Sequence, residues 1–360
     1  MLTNQVIKSV IEGILLITRR ELSVLEHEGS IIASTEAQTP DVLAESVTGF
    51  MAGPAESQSA HGYQFFKVSD AGYAEFVVAI KGEDEETFRI GKLAAFQIQN
   101  LLVAYKERHD KDNFIKNLLL DNLLLVDIYS RAKKLRIDRN VRRIVYLVEI
   151  TGDKDWSLVE IIRNLFPSKG KDFVAAIDEH HIVLVRELKP TDTFEEIEQA
   201  AQEVRDTLNS ETLIPAKIAI GKEVSDIKNV SQSYKEAKMA LEVAKIFEPD
   251  MEIINYEKLG IGRLIYQLPV SLCKMFVTEV LHGMTVNNFD SETLQTVERF
   301  FECHLNVSET SRQLYIHRNT LIYRLDKIQK ITGLDLRRFE DAIIFKITLM
   351  VSKYMEYKEL

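Results

Sequence analysis

Apolar positions near the start of the chain recur at helical spacing. Val6, Val10, Ile14 and Ile17 step by four and three, which predicts a helix over residues 3–20. The pattern then changes to alternation. Ser23–Glu26 and Ser30–Ser34 read as two strands joined by a turn at His27-Glu28-Gly29. Thr39 to Met51 returns to helical spacing, and Gly53 to Gly62, with Pro54 and small residues, reads as a loop. Tyr63–Val68 and Tyr73–Ile80 are rich in aromatic and β-branched residues, with Ser69-Asp70-Ala71-Gly72 as their turn. This order predicts a small antiparallel sheet with helices on one side.

Glu86 to about Leu135 follows as one long helix with a candidate break at His109-Asp110. Ala94, Ile98, Leu101 and Tyr105 form a seam spaced four and three, interrupted at Arg108 and Asp112 and resumed at Ile115 and Leu119. Two readings fit that seam: a helix running beside its copy in a dimer, or one covering the sheet of its own domain. The first helix, through Val6, Val10 and Ile14, is a second candidate dimer contact, and Leu272–Leu281 a third.

From Arg142 to Asn255 strand and helix patterns alternate. Strand Arg143–Ile150, helix Ser157–Phe166, strands Asp172–Asp178 and His181–Glu187, helix Thr193–Leu208 and strand Ala216–Gly221 give the order βαββαβ of a split ferredoxin-like unit. Helix Val230–Phe247 and strand Glu252–Asn255 complete the region. The hairpin AIDEHHIVLV contains no glycine to admit a nucleotide, and His180 and His181, adjacent in a hairpin, point to opposite faces. No catalytic constellation, metal set or cofactor motif emerges here, and none is expected.

The most informative stretch lies near the end. Asn306, with Glu309 three residues on, has capping-box spacing before a helix of about eight residues ending near Leu314. Tyr315-Ile316-His317 is a three-residue turn, and a longer helix runs from Arg318 to about Lys330, stopped by Gly333. Short helix, tight turn and longer helix form a helix-turn-helix. Leu321, Leu325 and Ile328 share the inward stripe. Arg318, Asn319, Tyr323, Arg324 and Lys327 fall elsewhere on the wheel, and His317 and Thr320 stand at the N-terminal end, where a recognition helix meets base edges. Between Ser308 and Arg338, seven basic residues face three acidic ones in a chain of formal charge −10. A local basic patch in an acidic protein is the electrostatic footprint of one DNA-binding module.

Length and composition set the frame. With 360 residues and 46% hydrophobic residues, the chain can hold two or three domains. No run approaches a membrane span, and Ile14–Ile17 ends at Arg19-Arg20 without a cleavage site, so a cytoplasmic protein is expected. Cys273 and Cys303 have no metal-ligand spacing and read as reduced core residues.

The residues HRNTLIYRLDKIQKITG, His317 to Gly333, resemble the C-terminal helix-turn-helix of the purine catabolism regulator family, which includes the carbohydrate diacid regulators. SYKEAKMALEVAKIF at Ser233–Phe247 resembles the closing helix of that family's degenerate diguanylate-cyclase-like domain. YEKLGIGRLIYQLP at Tyr256–Pro269 resembles its connection to the DNA-binding region, and VLEHEGSIIAST resembles the start of its sensor. The resemblance implies an α+β multidomain regulator with a PAS-like sensor over 1–108, a helical linker over 109–141, a cyclase-like α/β domain over 142–260 and an all-α helix-turn-helix region over 261–360. The stretch Ala37 to Met51 lacks the Arg-Ile-Gly and His-Glu-Gly-Ala elements that serve the family's diacid site, and no arginine lies between Glu21 and Lys67 to clamp a carboxylate. The expected function is sequence-specific DNA binding as a homodimer on an operator, governed by a small-molecule effector. The alternatives are an enzyme, a divergent cyclase or hydrolase using the middle domain, and a non-DNA interaction protein built on the helical tail.

Overall fold

The computed structural model describes residues 4–37, 40–70, 73–150, 157–166 and 171–359. It is a mixed α+β chain of two compact units, Met1–Phe114 and Ile115–Leu360.

The first unit begins with helix α1, Asn4–Thr18. Strands β1 (Leu22–Glu26) and β2 (Ile31–Ser34) pair antiparallel, with Gly29 at φ 88° in their turn. Helix α2 (Val42–Ala52) follows, and Thr39 lies outside the described residues. Strands β3 (Ser57–Ala60), β4 (Tyr63–Asp70) and β5 (Tyr73–Lys81) complete an antiparallel sheet of order β2-β1-β5-β4-β3. Of the turn expected between β4 and β5, Ala71 and Gly72 lie outside the described residues.

Three expectations change in this unit. The loop Gly53–Gly62 contains edge strand β3, whose polar residues Ser57, Gln58 and Ser59 gave no apolar alternation. His61 (φ 54°) and Gly62 (φ 80°) join β3 to β4 as a two-residue turn with both central φ positive, a job usually advertised by Asn-Gly. Helices also cover both sides of the sheet. Leu22, Val24, Phe66, Val68, Val78 and Ile80 pack with α1, while Leu25, Phe65, Val77 and Ala79 pack with Leu43, Val47 and Phe50 of α2. Finally, α1 is rotated from its expected face. Ile7 and Ile11 are fully buried, whereas Val6 and Ile17 are exposed. Two neighbouring stripes of α1 are apolar, and only contact with the sheet decides between them.

Helix α3, Glu85–Leu119, passes His109-Asp110 without a break. Ala94 and Ile98 are buried in the sheet's core and Tyr105 packs beside them, so these seam positions cover the helix's own sheet; Leu102 takes the buried place expected of Leu101, which is half-buried. Gly91 permits the close approach, since a Cβ there would stand 2.2 Å from the ring of Phe66. The helix stops after Leu119, where Asp121 takes φ 56°. The amide of Asn122 donates to the Asn117 carbonyl and that of Asp121 to Leu118, the paired bonds of a Schellman end. Aspartate tolerates this left-handed position better than most residues.

In the second unit, α4 (Leu125–Lys134) precedes β6 (Arg143–Ile150), α5 (Ser157–Leu165), β7 (Phe173–Ala176), β8 (His181–Glu187), α6 (Phe194–Thr212) and β9 (Ala216–Ile220). Helix α7 (Val230–Phe247) and β10 (Ile253–Asn255) follow. The element order matches the sequence reading, and the strands lie in the order β10-β9-β6-β8-β7. Strand β6 is buried from Arg143 to Val148. One side packs against Leu158 and Ile162 of α5 and Ile197, Ala201 and Val204 of α6. Gly221 carries no side chain for a clear reason: a Cβ would come 2.0 Å from the carbonyl oxygen of Ser233 in α7.

The chain ends in helices α8 (Gly262–Tyr266), α9 (Val270–Val280), α10 (Ser291–Glu302), α11 (Val307–Gln313), α12 (Arg318–Thr332) and α13 (Phe339–Glu359). Cys273 and Cys303 are buried free thiols. No helix among the described residues is long and apolar enough to cross a membrane.

Candidate nucleic-acid interface

Helix α11 starts where the sequence placed its cap. The Asn306 side chain accepts from the Glu309 amide at 3.1 Å. The expected reciprocal bond of a capping box gives way to a different partner: the Glu309 carboxylate accepts from Arg312 (2.7 Å) and Gln313 (2.9 Å). Helix α11 ends in a Schellman arrangement, Ile316 donating to the Ser311 carbonyl and Tyr315 to Arg312. The residue at the left-handed position is Tyr315, φ 54°, not glycine. Its side chain is 96% exposed, so no packing accounts for it. Tyr315→Gly should therefore raise the thermal midpoint slightly, by about 0.5–1 kcal/mol of stability, because only glycine adopts this φ without strain. Differential scanning calorimetry reads the effect. If operator affinity falls in the same variant, the exposed ring is itself a contact.

Helix α12 begins at His317, whose Nδ1 accepts from the Asn319 amide at 3.2 Å. Its inward stripe is Leu321, Leu325 and Ile328, all at most 1% exposed. They pack with Val297 and Phe300 of α10 and with Leu336 and Phe345. Gly333 closes the helix at φ 75°. His317, Arg318, Asn319 and Thr320 stand exposed at its start, and Tyr323, one turn on, is 69% exposed.

The other two basic side chains singled out in the sequence hold partners within the chain. The Arg324 guanidinium donates to Thr296 Oγ1 at 2.9 Å and to Glu292 Oε2 at 2.5 Å, leaving its side chain 20% exposed. Lys327 Nζ lies 2.5 Å from Asp290 Oδ2. Asp290 also caps α10 by accepting from the Thr293 amide at 2.8 Å. The Lys327 ammonium, with the Thr293 bonds, holds the Asp290 carboxyl well below the usual carboxylate range. Both cations thus brace α12 against α10. The missed signal was Asp290-Ser291-Glu292, acids just upstream of the stretch over which charge was counted. Arg337 is similarly engaged with Asp326 and Asp335. Among the described residues Arg318 and Lys330 form no ion pair.

The middle domain keeps a polar cluster at the β7–β8 turn. Asp178 accepts from the amides of His180 and His181, each at 2.9 Å, so it shapes the turn. His181 Nδ1 lies 2.8 Å from Asp178 Oδ1, and its Nε2 lies 3.6 Å from Glu149. His181, together with Lys245, holds the Glu149 carboxyl at about 2. Lys245 reaches Glu242 at 2.9 Å, and Glu242 accepts from the Tyr357 hydroxyl of α13 at 3.0 Å. These acids and bases satisfy one another. The arrangement links the hairpin to the last helix.

Residues 293–351 match the PucR C-terminal helix-turn-helix domain, and residues 122–243 match the GGDEF-like domain. The chain is 23% identical to the carbohydrate diacid regulator of Escherichia coli, over 77% of this chain and 76% of that protein. It is 24% identical to the purine catabolism regulatory protein of Bacillus subtilis, over 67% of this chain and 46% of that one. It is 27% identical to the DNA-binding transcriptional activator AdeR of Bacillus subtilis, over 54% of this chain and 47% of that one. The chain thus spans about three quarters of the first relative and under half of the other two. The family resemblance drawn from His317–Gly333 and Ser233–Phe247 holds in both domains.

Proposed function

We infer that this chain, with its PucR helix-turn-helix and GGDEF-like domains, is a DNA-binding regulator of transcription rather than an enzyme of the middle domain. The observation that carries the reading is the two-sidedness of α12. Its apolar stripe is wholly buried while Arg318, Asn319, Thr320 and Tyr323 are presented to solvent at its N-terminal half. Arg and Asn can each make paired hydrogen bonds to a base edge in the major groove, and α12 is long enough to lie there. His317 orders the helix start through its cap. Arg324 and Lys327 act as positioning residues through Glu292 and Asp290.

In the same reading the chain has three domains, a sensor over 1–108, a middle domain over 142–260 and a DNA-binding region over 261–360, with a helical linker over 109–141. The sheet order β2-β1-β5-β4-β3 supports a PAS-like sensor, and the order β9-β6-β8-β7 supports a ferredoxin-like middle domain extended by β10. The protein acts as a homodimer on a two-fold operator, and a small-molecule effector biases the dimer arrangement. Relatives named for carbohydrate diacids and purine catabolism support regulation of small-molecule catabolism.

Genome-wide footprinting of the purified protein, alongside incubation with GTP, tests this reading. Discrete protected sites with GTP unchanged are expected. Turnover of GTP without protected sites would move the function to the middle domain.

A further inference from the structure

We propose that a second copy of this chain docks on the outward face of α3, in antiparallel order, around Leu93, Phe96, Asn100 and Val103. This assigns an interface to the dimer of the functional reading above and rests on that reading. Of the seam visible in the sequence, Ala94, Ile98 and Tyr105 are occupied by the helix's own sheet, and Leu101 is half-buried beside them. At 3.6 residues per turn the opposite side of α3 carries Arg89, Leu93, Phe96, Asn100, Val103 and Glu107, spaced four, three, four, three and four. Polar residues belong on that side of a helix covering a sheet. Instead Leu93 is 67% exposed, Phe96 60% and Val103 40%. The spacing is that of a two-helix seam, with one polar residue, Asn100, inside it.

Charge decides the order of the two helices. A parallel pair sets Arg89 against Arg89 and Glu107 against Glu107 at the ends of the seam. An antiparallel pair with its two-fold axis beside Ile98 sets Leu93 against Val103, Phe96 against Asn100, and Arg89, which within one chain pairs with the exposed Glu85, against Glu107, each twice. Glu86 then faces Asp110, the one like-charge opposition along the seam. The seam from Arg89 to Glu107 is about 27 Å long, and its charged ends close over Leu93, Phe96 and Val103 with Asn100 among them.

Sedimentation of the full-length protein tests the assignment. Leu93→Glu with Phe96→Glu should raise the dimer dissociation constant roughly a hundredfold or more, by placing charges at a desolvated centre. The dissociated chain should still fold, with an unchanged far-UV circular dichroism spectrum, because both side chains are exposed in the single chain; only the concentration-dependent part of the melting temperature should be lost. Arg89→Glu should weaken the dimer about tenfold, and adding Glu107→Arg should restore it, since exposed pairs contribute modestly but act here in two symmetric copies. In a parallel pair the double exchange keeps like charges opposed and restores nothing. A bismaleimide with the shortest spacer should join chains carrying Leu93→Cys to chains carrying Val103→Cys, while the Leu93→Cys chain alone stays uncross-linked, because two copies of position 93 lie about 15 Å apart along the axis. A wild-type dimer that tolerates Leu93→Glu with Phe96→Glu overturns this interface and leaves the dimer reading standing. Failure of the double exchange, or self-cross-linking at position 93, overturns the antiparallel order on which the proposal stands. A wild type that sediments as a monomer overturns both.

Discussion

Leu325→Ala should destabilise the C-terminal helical region by about 2–5 kcal/mol, the cost of a Leu-to-Ala cavity in a close-packed core. Leu325 is 1% exposed and lies midway along the inward stripe of α12, among side chains from α10 and α13. Little around it can collapse into the gap, because Leu321 and Ile328 on the same helix are fully buried too. Loss of operator binding should accompany the loss of stability, since α12 is held in place by this core. Chemical denaturation followed by far-UV circular dichroism reads the first effect and a gel shift the second. Native stability in this variant would mean that the buried and presented sides of α12 are misassigned.

Arg318→Ala and Asn319→Ala should each weaken operator binding by about 1–3 kcal/mol, roughly five- to 150-fold, while non-specific DNA is bound nearly as before. Both side chains are exposed at the start of α12, so stability should stay within about 0.5 kcal/mol of wild type. Arg324→Ala and Lys327→Ala should behave differently. They release Glu292 and Asp290, and their effect on affinity should fall on all sequences alike. A fluorescence anisotropy titration on operator and scrambled duplexes separates the two classes. Unchanged operator affinity in both the Arg318 and Asn319 variants would remove the base-reading role.

The sequence was most legible where local chemistry and long-range packing agree. Asn306, Gly333 and the stripe Leu321, Leu325 and Ile328 could be placed to the residue, because a cap, a left-handed stop and a 3.6-residue period all act locally. The order of elements from Arg143 to Asn255 was legible for the same reason. What could not be read depended on partners distant in the chain. Nothing within α12 reveals that Arg324 belongs to Glu292, 32 residues earlier. Nothing within α1 says which of two apolar stripes will meet the sheet. Edge strand β3 was invisible because its ladder to β4 is made by backbone groups, and its side chains, Ser57 to Ser59, are polar. In α3 the periodicity was real, but whether it met a copy or the sheet was not legible within the helix, and Ala94 and Ile98 meet the sheet.

Helix α13 has a consequence for how such a chain can be rearranged in evolution. The segment that matches the helix-turn-helix domain stops at residue 351. Helix α13 continues to Glu359, and beyond that point Tyr354 is buried, with its hydroxyl donating to the Leu268 carbonyl. Tyr357 reaches Glu242 in the middle domain. A gene fusion that cut at residues 293 and 351 would sever the helix inside its buried length and leave behind α9, whose Cys273 and Val277 pack in the same core. The heritable piece is therefore larger than its most recognisable part. It runs from about the start of α8 to the end of α13, and a recombination that keeps the helix-turn-helix must carry along the helices that hold it in place.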